Sequence, residues 1–495
     1  MDNRILINIT FNETRVAVME NGSVAELYLE RKSAPRIVGN IYKGIVGKVV
    51  PGMQAAFVNI GLEKSGFISV EDVHEDSLYD FFLENEGEAN HHKKQSRGLI
   101  QDILREGQHV LVQVLKESVG GKGPKLSSFI GIPGKYTVLL GNADIVGISR
   151  KIESQDERDR LNEIVRRIKP EGIGLIARTA SIDVSEEDLH QDTEELYRLW
   201  TDIKKRSDET KTPSLLYEEP RLYIKAVRDF VSGDMSRVVV DSKEVYDEII
   251  SYVKRYLPDS GVRVELYKEP EPIFIRYSVE NEIRKIFNKK VWLKSGGHII
   301  IEEAEGLTVV DVNTGRFQSG KTQEDTIYRL NLEAATEIVR QIRLRNLVGI
   351  VVVDFIDIKN RQLRDQIYEA FVEALKRDRS RSAVLEMSPF GVIQMTRQRL
   401  RESVLTELAE PCPYCDGSGY LKSKDTISYE IIREIRHKAG KPGVTAVEVH
   451  AGSRIIDKLR EFEQEGLKRL EKESGVRISF RSVEGRLGKY EVKAS

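Results

Sequence analysis

Cysteine is nearly absent from this chain of 495 residues: there are two, Cys412 and Cys415. A pair at C-x-x-C spacing excludes a disulfide framework and points to a reducing compartment, so the cytoplasm is expected. Long hydrophobic runs are missing as well. No stretch approaches the roughly 18 consecutive apolar residues that a membrane-spanning helix needs. The start, Met1-Asp2-Asn3-Arg4-Ile5-Leu6, lacks the basic-then-apolar pattern of a secretion signal. Neither sign of charge dominates: 77 Lys and Arg against 79 Asp and Glu give a net charge of −2. That argues against a nonspecific polyanion binder but leaves room for local basic surfaces, which decide phosphate contacts. There is no internal repeat and no low-complexity tail. What is present is length for roughly three to four domains and the composition of a soluble globular protein, 40% hydrophobic and 32% charged.

The stretch 307–357 organises the rest. Two β-branched runs, Leu307-Thr308-Val309-Val310 and Gly349-Ile350-Val351-Val352-Val353, run directly into Asp311 and Asp354. Short Val- and Ile-rich runs read as buried strands, and an acid at the end of one is unusual. Helical periodicity from Gln323 to Arg345 gives the order strand, helix, strand. That order permits a parallel pair with both aspartates at one sheet edge, where open α/β sheets bind ligands. Alternation places Asn313 on the face of Asp311 and Asp357 opposite Asp354, and Gly315 lets the backbone approach a ligand closely. Two carboxylates and an amide oxygen form an all-oxygen site suited to magnesium, which keeps several waters and accepts phosphates. The inferred chemistry is metal-assisted phosphodiester hydrolysis; strand-end or N-cap acids are the bland alternative. No histidine base stands near the motif, which favours a metal-activated water.

Elsewhere, residues 4–30 alternate as two or three strands with a hairpin turn at Asn21-Gly22. From Gly39 to about Ser128 come short, glycine-punctuated strands, the pattern of a small closed barrel of the OB type. Phe57 and Phe67 flank a turn within it, so a hairpin can set both rings on one face; ordinary core is the alternative. The acidic stretch Glu71 to Gln101, with His91-His92-Lys93-Lys94, reads as a solvated loop rather than a metal site. Residues 129–220 mix strands with helices near Asp156–Lys169 and Ser185–Arg206. Residues 221–285 alternate helix and strand and can complete the sheet that residues 4–30 begin, which makes the barrel and the segment after it insertions. A helix from Gln362 to Asp378, a basic run to Arg381, and a small αβ module follow. That module carries helices near Ile427–His437 and Arg454–Glu473 and a strand near Thr445–Val449. Cys412 and Cys415 supply two thiolates where a closed zinc site needs four ligands. With no other cysteine, and His437 the nearest histidine in the sequence, the economical solution is a zinc shared by two chains, hence a homodimer.

Asp311-Val312-Asn313-Thr314-Gly315, Gly349-Ile350-Val351-Val352-Val353-Asp354-Phe355-Ile356-Asp357, Cys412-Pro413-Tyr414-Cys415 and Gly39-Asn40-Ile41-Tyr42-Lys43-Gly44 closely resemble the motifs of the ribonuclease E/G family of bacterial endoribonucleases. The resemblance runs from the N-terminus to at least about residue 440 and is to the family's short form, without its long C-terminal scaffold. It implies an α+β multidomain fold. A split RNase H-like domain (1–38 and 221–285) is interrupted by an OB-type RNA-binding barrel (39–128) and a 5′-sensor region (129–220). A deoxyribonuclease-like α/β catalytic subdomain (286–410), a zinc link (411–419) and a small C-terminal αβ domain (420–495) follow. It places magnesium on Asp311 and Asp354 with Asn313 as auxiliary amide, and RNA contacts on Phe57 and Phe67 with Lys122 as basic partner. A 5′-monophosphate pocket falls on Arg178 and Thr179, with Val138 beside it. Lys43 would join Lys122 in holding phosphates, and base stacking on the rings is worth roughly 1–3 kcal/mol per base. The implied activity is magnesium-dependent cleavage of single-stranded RNA, stimulated by a 5′-monophosphate and leaving 5′-phosphate products, in rRNA processing and mRNA decay. The implied assembly is a zinc-linked homodimer, with higher association open. A noncatalytic RNA-binding protein or chaperone, and a deoxyribonuclease or other phosphoesterase, are the alternatives.

Overall fold

Five strands form the first sheet, and their order separates chain neighbours. The computed structural model describes residues 3–32, 37–73, 98–117, 123–149, 151–152, 154–231, 235–258, 260–315, 322–399, 401–415, 417–483 and 490–495. Lys122, His91 and His92 lie outside the described residues. In that first sheet Arg4–Ile9, Glu13–Glu20 and Ser23–Arg31 make an antiparallel meander, turned at Asn21-Gly22 where both residues adopt positive φ. Arg237–Val240 then adds in parallel beside Arg4–Ile9, and Arg263–Leu266 beside that. Ile5, Ile7, Val16 and Val18 turn one face onto the helices Leu222–Phe230 and Lys243–Tyr256. The chain between Arg31 and the helix Leu222–Phe230 is therefore inserted.

The insertion begins with a closed barrel. Ile41–Val50 pairs with Ala55–Asn59 at one end and with His109–Lys116 at the other, while Gly66–Ser69 and Lys125–Ser127 complete the circuit. Val46, Ala56, Val58, Ile68, Val112 and Leu126 fill it. Ser214–Tyr217, from well beyond the barrel sequence, joins its outside edge against Ile41–Lys43. A four-stranded sheet follows, in the order Val146–Ile148, Gly174–Ala177, Thr137–Leu140, Gly131–Pro133, covered by the helices Gln155–Ile168 and Glu186–Glu209.

The last sheet of residues 1–407 has six strands: Lys290–Trp292, His298–Glu303, Leu307–Asn313, Gly349–Asp354, Val392–Arg397 and Ser382–Val384, in that spatial order. The helix Gln323–Leu344 makes the crossover between the central parallel pair. The Thr322 hydroxyl accepts the Asp325 N–H at its start, Glu324 and Asp325 favour the positive end of its dipole, and Asn346 leaves it at φ +51°. Leu330, Ala334, Ile338 and Ile342 recur at intervals of four and pack on Val310, Val312, Val351 and Val353. Each fully buried Leu, Ile or Val among them contributes roughly 1.5–3 kcal/mol.

Buried arginines fix this sheet's surroundings. Arg343 donates to Glu20 and Glu26 of the first sheet, and Arg397 donates to Asp378, to the Asn346 amide oxygen and to the Leu347 carbonyl. The Arg397 and Asp378 side chains are only 4% and 2% exposed.

Residues 408–495 form a separate unit. Ala446–Ala451 is the central strand between Arg477–Ser482 and Glu491–Ala494. The single helix expected over 454–473 is two helices, Ser453–Phe462 and Gln464–Ser474. Glu463 leaves the helical region at φ −112° and ψ 15°, and Gly466 just beyond weakens continuation. Among the described residues no helix is long and apolar enough to cross a membrane.

Replacing Asp378 by Asn strands the buried Arg397 charge, so stability should fall by about 3–5 kcal/mol. The fall is read as an earlier urea midpoint for the 1–407 unit; an unchanged midpoint would mean the pair is dispensable.

Candidate active site

Asp311 and Asp354 are direct partners in the parallel register that runs from Leu307–Ile350 to Asp311–Asp354. Asp311 does not terminate its strand, as the sequence pattern suggests, because pairing with His298–Glu303 carries the strand on to Asn313. Alternation separates the faces cleanly. Thr308, Val310 and Val312 point into the core, whereas Val309, Asp311 and Asn313 point outward, together with Ile350, Val352 and Asp354. The Asn313 amide nitrogen donates to Asp311 Oδ2 at 2.7 Å, which fixes that carboxylate and leaves the amide oxygen for other use.

The donor set fits a hard cation. Two carboxylates and an amide oxygen stand on one water-facing surface, an all-oxygen donor set. Magnesium accepts such sparse protein ligation because it retains waters. Asp357 is exposed in the loop beyond the strand and takes no part in the paired edge. Gly315, at φ +58°, makes its close approach to the chain's own hairpin: a Cβ there would stand 2.6 Å from the Gly296 carbonyl oxygen.

Three nearby residues went unread in the sequence. His298 pairs with Asn313 across the neighbouring strand, which corrects the expectation that no histidine stands near the acids. Local sequence did not bring them together; an antiparallel hairpin did. Burial and the Lys290 ammonium push its pKa below the ordinary imidazole value against an opposing pull from Asp311. Asn331, 1% exposed on the crossover helix, donates to the Ile356 carbonyl and accepts the Ile356 N–H, clamping the turn that follows Asp354. Phe390, 82% exposed, lies in the turn that leads into the partner strand of Asp354.

On the barrel, Phe57 and Phe67 are direct cross-strand partners with ring centroids 6.0 Å apart at 66°. Both are half-buried on the outer surface and absent from the barrel core. Of the two cations expected beside them, Lys122 lies outside the described residues. Lys43 donates to the Ser207 and Thr210 carbonyls at the end of the Glu186–Glu209 helix, so it caps a helix. Lys48 instead pairs with Phe57 and is exposed, and Lys125 pairs with Phe67 while bridging to Asp72 at 2.9 Å.

Arg178 follows the strand Gly174–Ala177 and donates to the Gly134 carbonyl and, at 2.9 Å, to Asp229. Burial pushes the Asp229 carboxyl up, but the Arg228 and Arg178 guanidiniums outweigh it and hold it well below the usual carboxylate range. The Thr179 hydroxyl meets that of Ser149 at 3.0 Å, and Val138 pairs with Ile176 in the same sheet. Arg379, whose guanidinium lies 3.9 Å from the Phe230 ring centroid, is a second cation of this neighbourhood.

In the smaller unit Cys412 is exposed and Cys415 partly so. Positive φ at Gly417 and Gly419 wraps the chain around Cys415, and the Gly419 N–H, then the Cys412 thiol, lower the Cys415 pKa. His437 is exposed on the helix Lys424–Ala439. A cleft of about 1520 Å³ contains neither acid, although Lys290 and Trp292 reach its lining; its Arg340 and Arg343 are matched by Glu20, Glu282 and Glu337.

Comparison with known proteins covers most of the chain. The profile described as the Ribonuclease E/G family matches residues 131–400, that of the S1 RNA binding domain residues 37–129, and that of the RNase E/G, Thioredoxin-like domain residues 411–492. Ribonuclease G of Salmonella typhimurium (strain SL1344) is 41% identical over 436 residues, 88% of each chain. Ribonuclease G of Escherichia coli (strain K12) is 40% identical over the same shares. Ribonuclease E of Haemophilus influenzae is 35% identical over 478 residues, 96% of this chain and 50% of that one.

Asn331→Leu removes both partners of Ile356. Each orphaned backbone group should cost about 1–3 kcal/mol, read by urea unfolding. Magnesium binding measured by calorimetry should weaken as the Asp354 turn loosens; unchanged binding would show that the clamp does not position the acid.

Proposed function

The chain belongs to the ribonuclease E/G family, and from that premise we propose that it is a magnesium-dependent endoribonuclease acting on single-stranded RNA. The observation that carries the reading is the in-register pairing of Asp311 with Asp354, with Asn313 bonded to the first acid on the same open face. Asp311, Asp354 and the Asn313 oxygen would hold the ion. When bound, magnesium supplies charge stabilisation at the phosphate and a water of lowered pKa. Asn313 keeps the Asp311 carboxylate in one orientation, and the Asn331 clamp keeps the turn after Asp354 in place. Hydrolysis puts the water oxygen on phosphorus and breaks the P–O3′ bond, leaving a 5′-phosphate on one product and a 3′-hydroxyl on the other.

The remaining residues deliver the strand. Phe57 and Phe67 present ring faces on which bases stack without regard to sequence. Lys48 offers a phosphate contact beside them, the role first expected of Lys43. At the sensor, Arg178 is already paired with an anion, Asp229. A 5′-terminal phosphate would exchange with that carboxylate, with Thr179 as a further donor and Val138 lining the approach. Such an exchange would make cleavage sensitive to a 5′-monophosphate. Processing of rRNA and decay of mRNA are the roles this activity would serve, in the cytoplasm.

Cys412 and Cys415 offer half of a tetrahedral thiolate site, and no further ligand of this chain joins them among the described residues. Two chains, each giving both thiolates, would complete it and hold a homodimer.

Asp311→Asn should lower magnesium-dependent cleavage of a short single-stranded RNA by at least about 100-fold while leaving RNA affinity in filter binding intact. Retained cleavage would refute the site. Arg178→Ala should abolish the advantage of 5′-monophosphorylated over 5′-hydroxyl RNA; equal losses on both would refute the sensor. Cys412→Ser should halve the solution mass and remove zinc from metal analysis, and a zinc-free wild-type dimer would count against the shared site.

A further inference from the structure

On the open face of the six-stranded sheet, one aromatic group stands outside everything assigned so far. Val291 and Leu293 are buried, so the residue between them, Trp292, must point the other way, and it is 64% exposed. Trp292 pairs with His298, and His298 pairs with Asn313, so all three share the face of the acids. Two strand spacings separate Trp292 from Asn313, about 10 Å of backbone. The Trp292 and His298 rings lie 5.3 Å apart at 55°, and the Lys290 ammonium stands 4.0 Å from the Trp292 ring centroid. His298 Nδ1 is buried without a hydrogen-bond partner.

Exposing an indole this fully forfeits burial that the fold could have used, since the neighbouring hairpin positions are already apolar and inward. A large flat ring, a second aromatic leaning on it and a cation beside it form the combination that binds single-stranded nucleic acid: stacking for the base, charge for the phosphate. The Lys290 ammonium against the ring disfavours a protein partner, because lysine is depleted from interface cores.

We propose that Trp292, backed by His298 and Lys290, is a base-stacking subsite that seats a nucleotide beside the scissile phosphate held at Asp311 and Asp354. The subsite rests on the ribonuclease reading, and adds to the barrel rings a second platform on the catalytic sheet itself. Its role is positioning: a base seated there fixes which phosphate meets the acids.

The test uses the full chain and a set of short single-stranded RNAs in which one nucleotide at a time around the cleavage site is made abasic. With wild type, one position near the scissile bond should lose on the order of 5- to 150-fold in kcat/KM. With Trp292→Ala that penalty should vanish while penalties elsewhere persist, and Trp292→Phe should restore part of it. Equal penalties at every position in wild type and Trp292→Ala would overturn the subsite although cleavage itself succeeded; no magnesium-dependent cleavage by wild type would instead sink the underlying reading. A measurement independent of cleavage uses fluorescence. The chain has two tryptophans, and Trp200 is 2% exposed, so quenching of the exposed one reports Trp292. RNA added to Asp311→Asn protein should quench it and inorganic polyphosphate should not. Equal quenching by both would mean the patch reads charge alone, and a changed oligomeric mass in Trp292→Ala with unaltered abasic penalties would give the face to a second copy of the chain; either result overturns the proposal.

Discussion

Everything in the larger unit accommodates one costly placement: two carboxylates side by side on neighbouring parallel strands. Carboxylates on paired residues of neighbouring strands repel, and the water they face screens much of that repulsion. The register cannot slip to relieve this. A one-residue shift would turn Val310, Val312, Val351 and Val353 out to solvent and the acids into the core. Burial on one face therefore holds repulsion on the other, and a cation is the natural relief.

The same logic explains the helix between the strands. Its apolar stripe covers the core face, its polar Asn331 reaches the turn after Asp354, and Arg343 beyond its middle anchors it to Glu20 and Glu26. One element thus carries packing, alignment of the acid, and attachment to the first sheet. Arg343 and Arg397 are each matched by carboxylates, which is the condition for keeping charge inside a protein.

Much of this was legible in the chain. The β-branched runs ending in acid, the helical period between them and the strand alternation were enough to place Asp311, Asp354 and Asn313 on one face, because each of those signals is local. The Asn21-Gly22 turn and the glycine-punctuated barrel strands were legible for the same reason. What escaped was set by pairing across distance. His298 meets Asn313 only through a hairpin, Lys43 is drawn away by the carbonyls of a helix more than a hundred residues on, and Lys48 takes the place beside Phe57 through a bulged register. Asp229 as the anion on Arg178 is likewise invisible until two separate segments meet. The break at Glu463 shows the opposite limit, where an amphipathic period continues through a backbone that does not.

The split first sheet has a consequence for the order in which the protein is made. Arg4–Ile9 leaves the ribosome early, but its parallel neighbour Arg237–Val240 follows only after the whole insertion, and the Asn8–Asp241 hydrogen bond joins residues 233 apart. Contacts that distant pay their loop-closure entropy late, whereas the barrel can close from pairings within its own segment. The insertion is thus poised to fold while the sheet that hosts it is still half built, its first strand waiting with an open edge. A nascent chain would acquire its strand-holding barrel before its acid pair, so the capacity to grip RNA would precede the capacity to cut it.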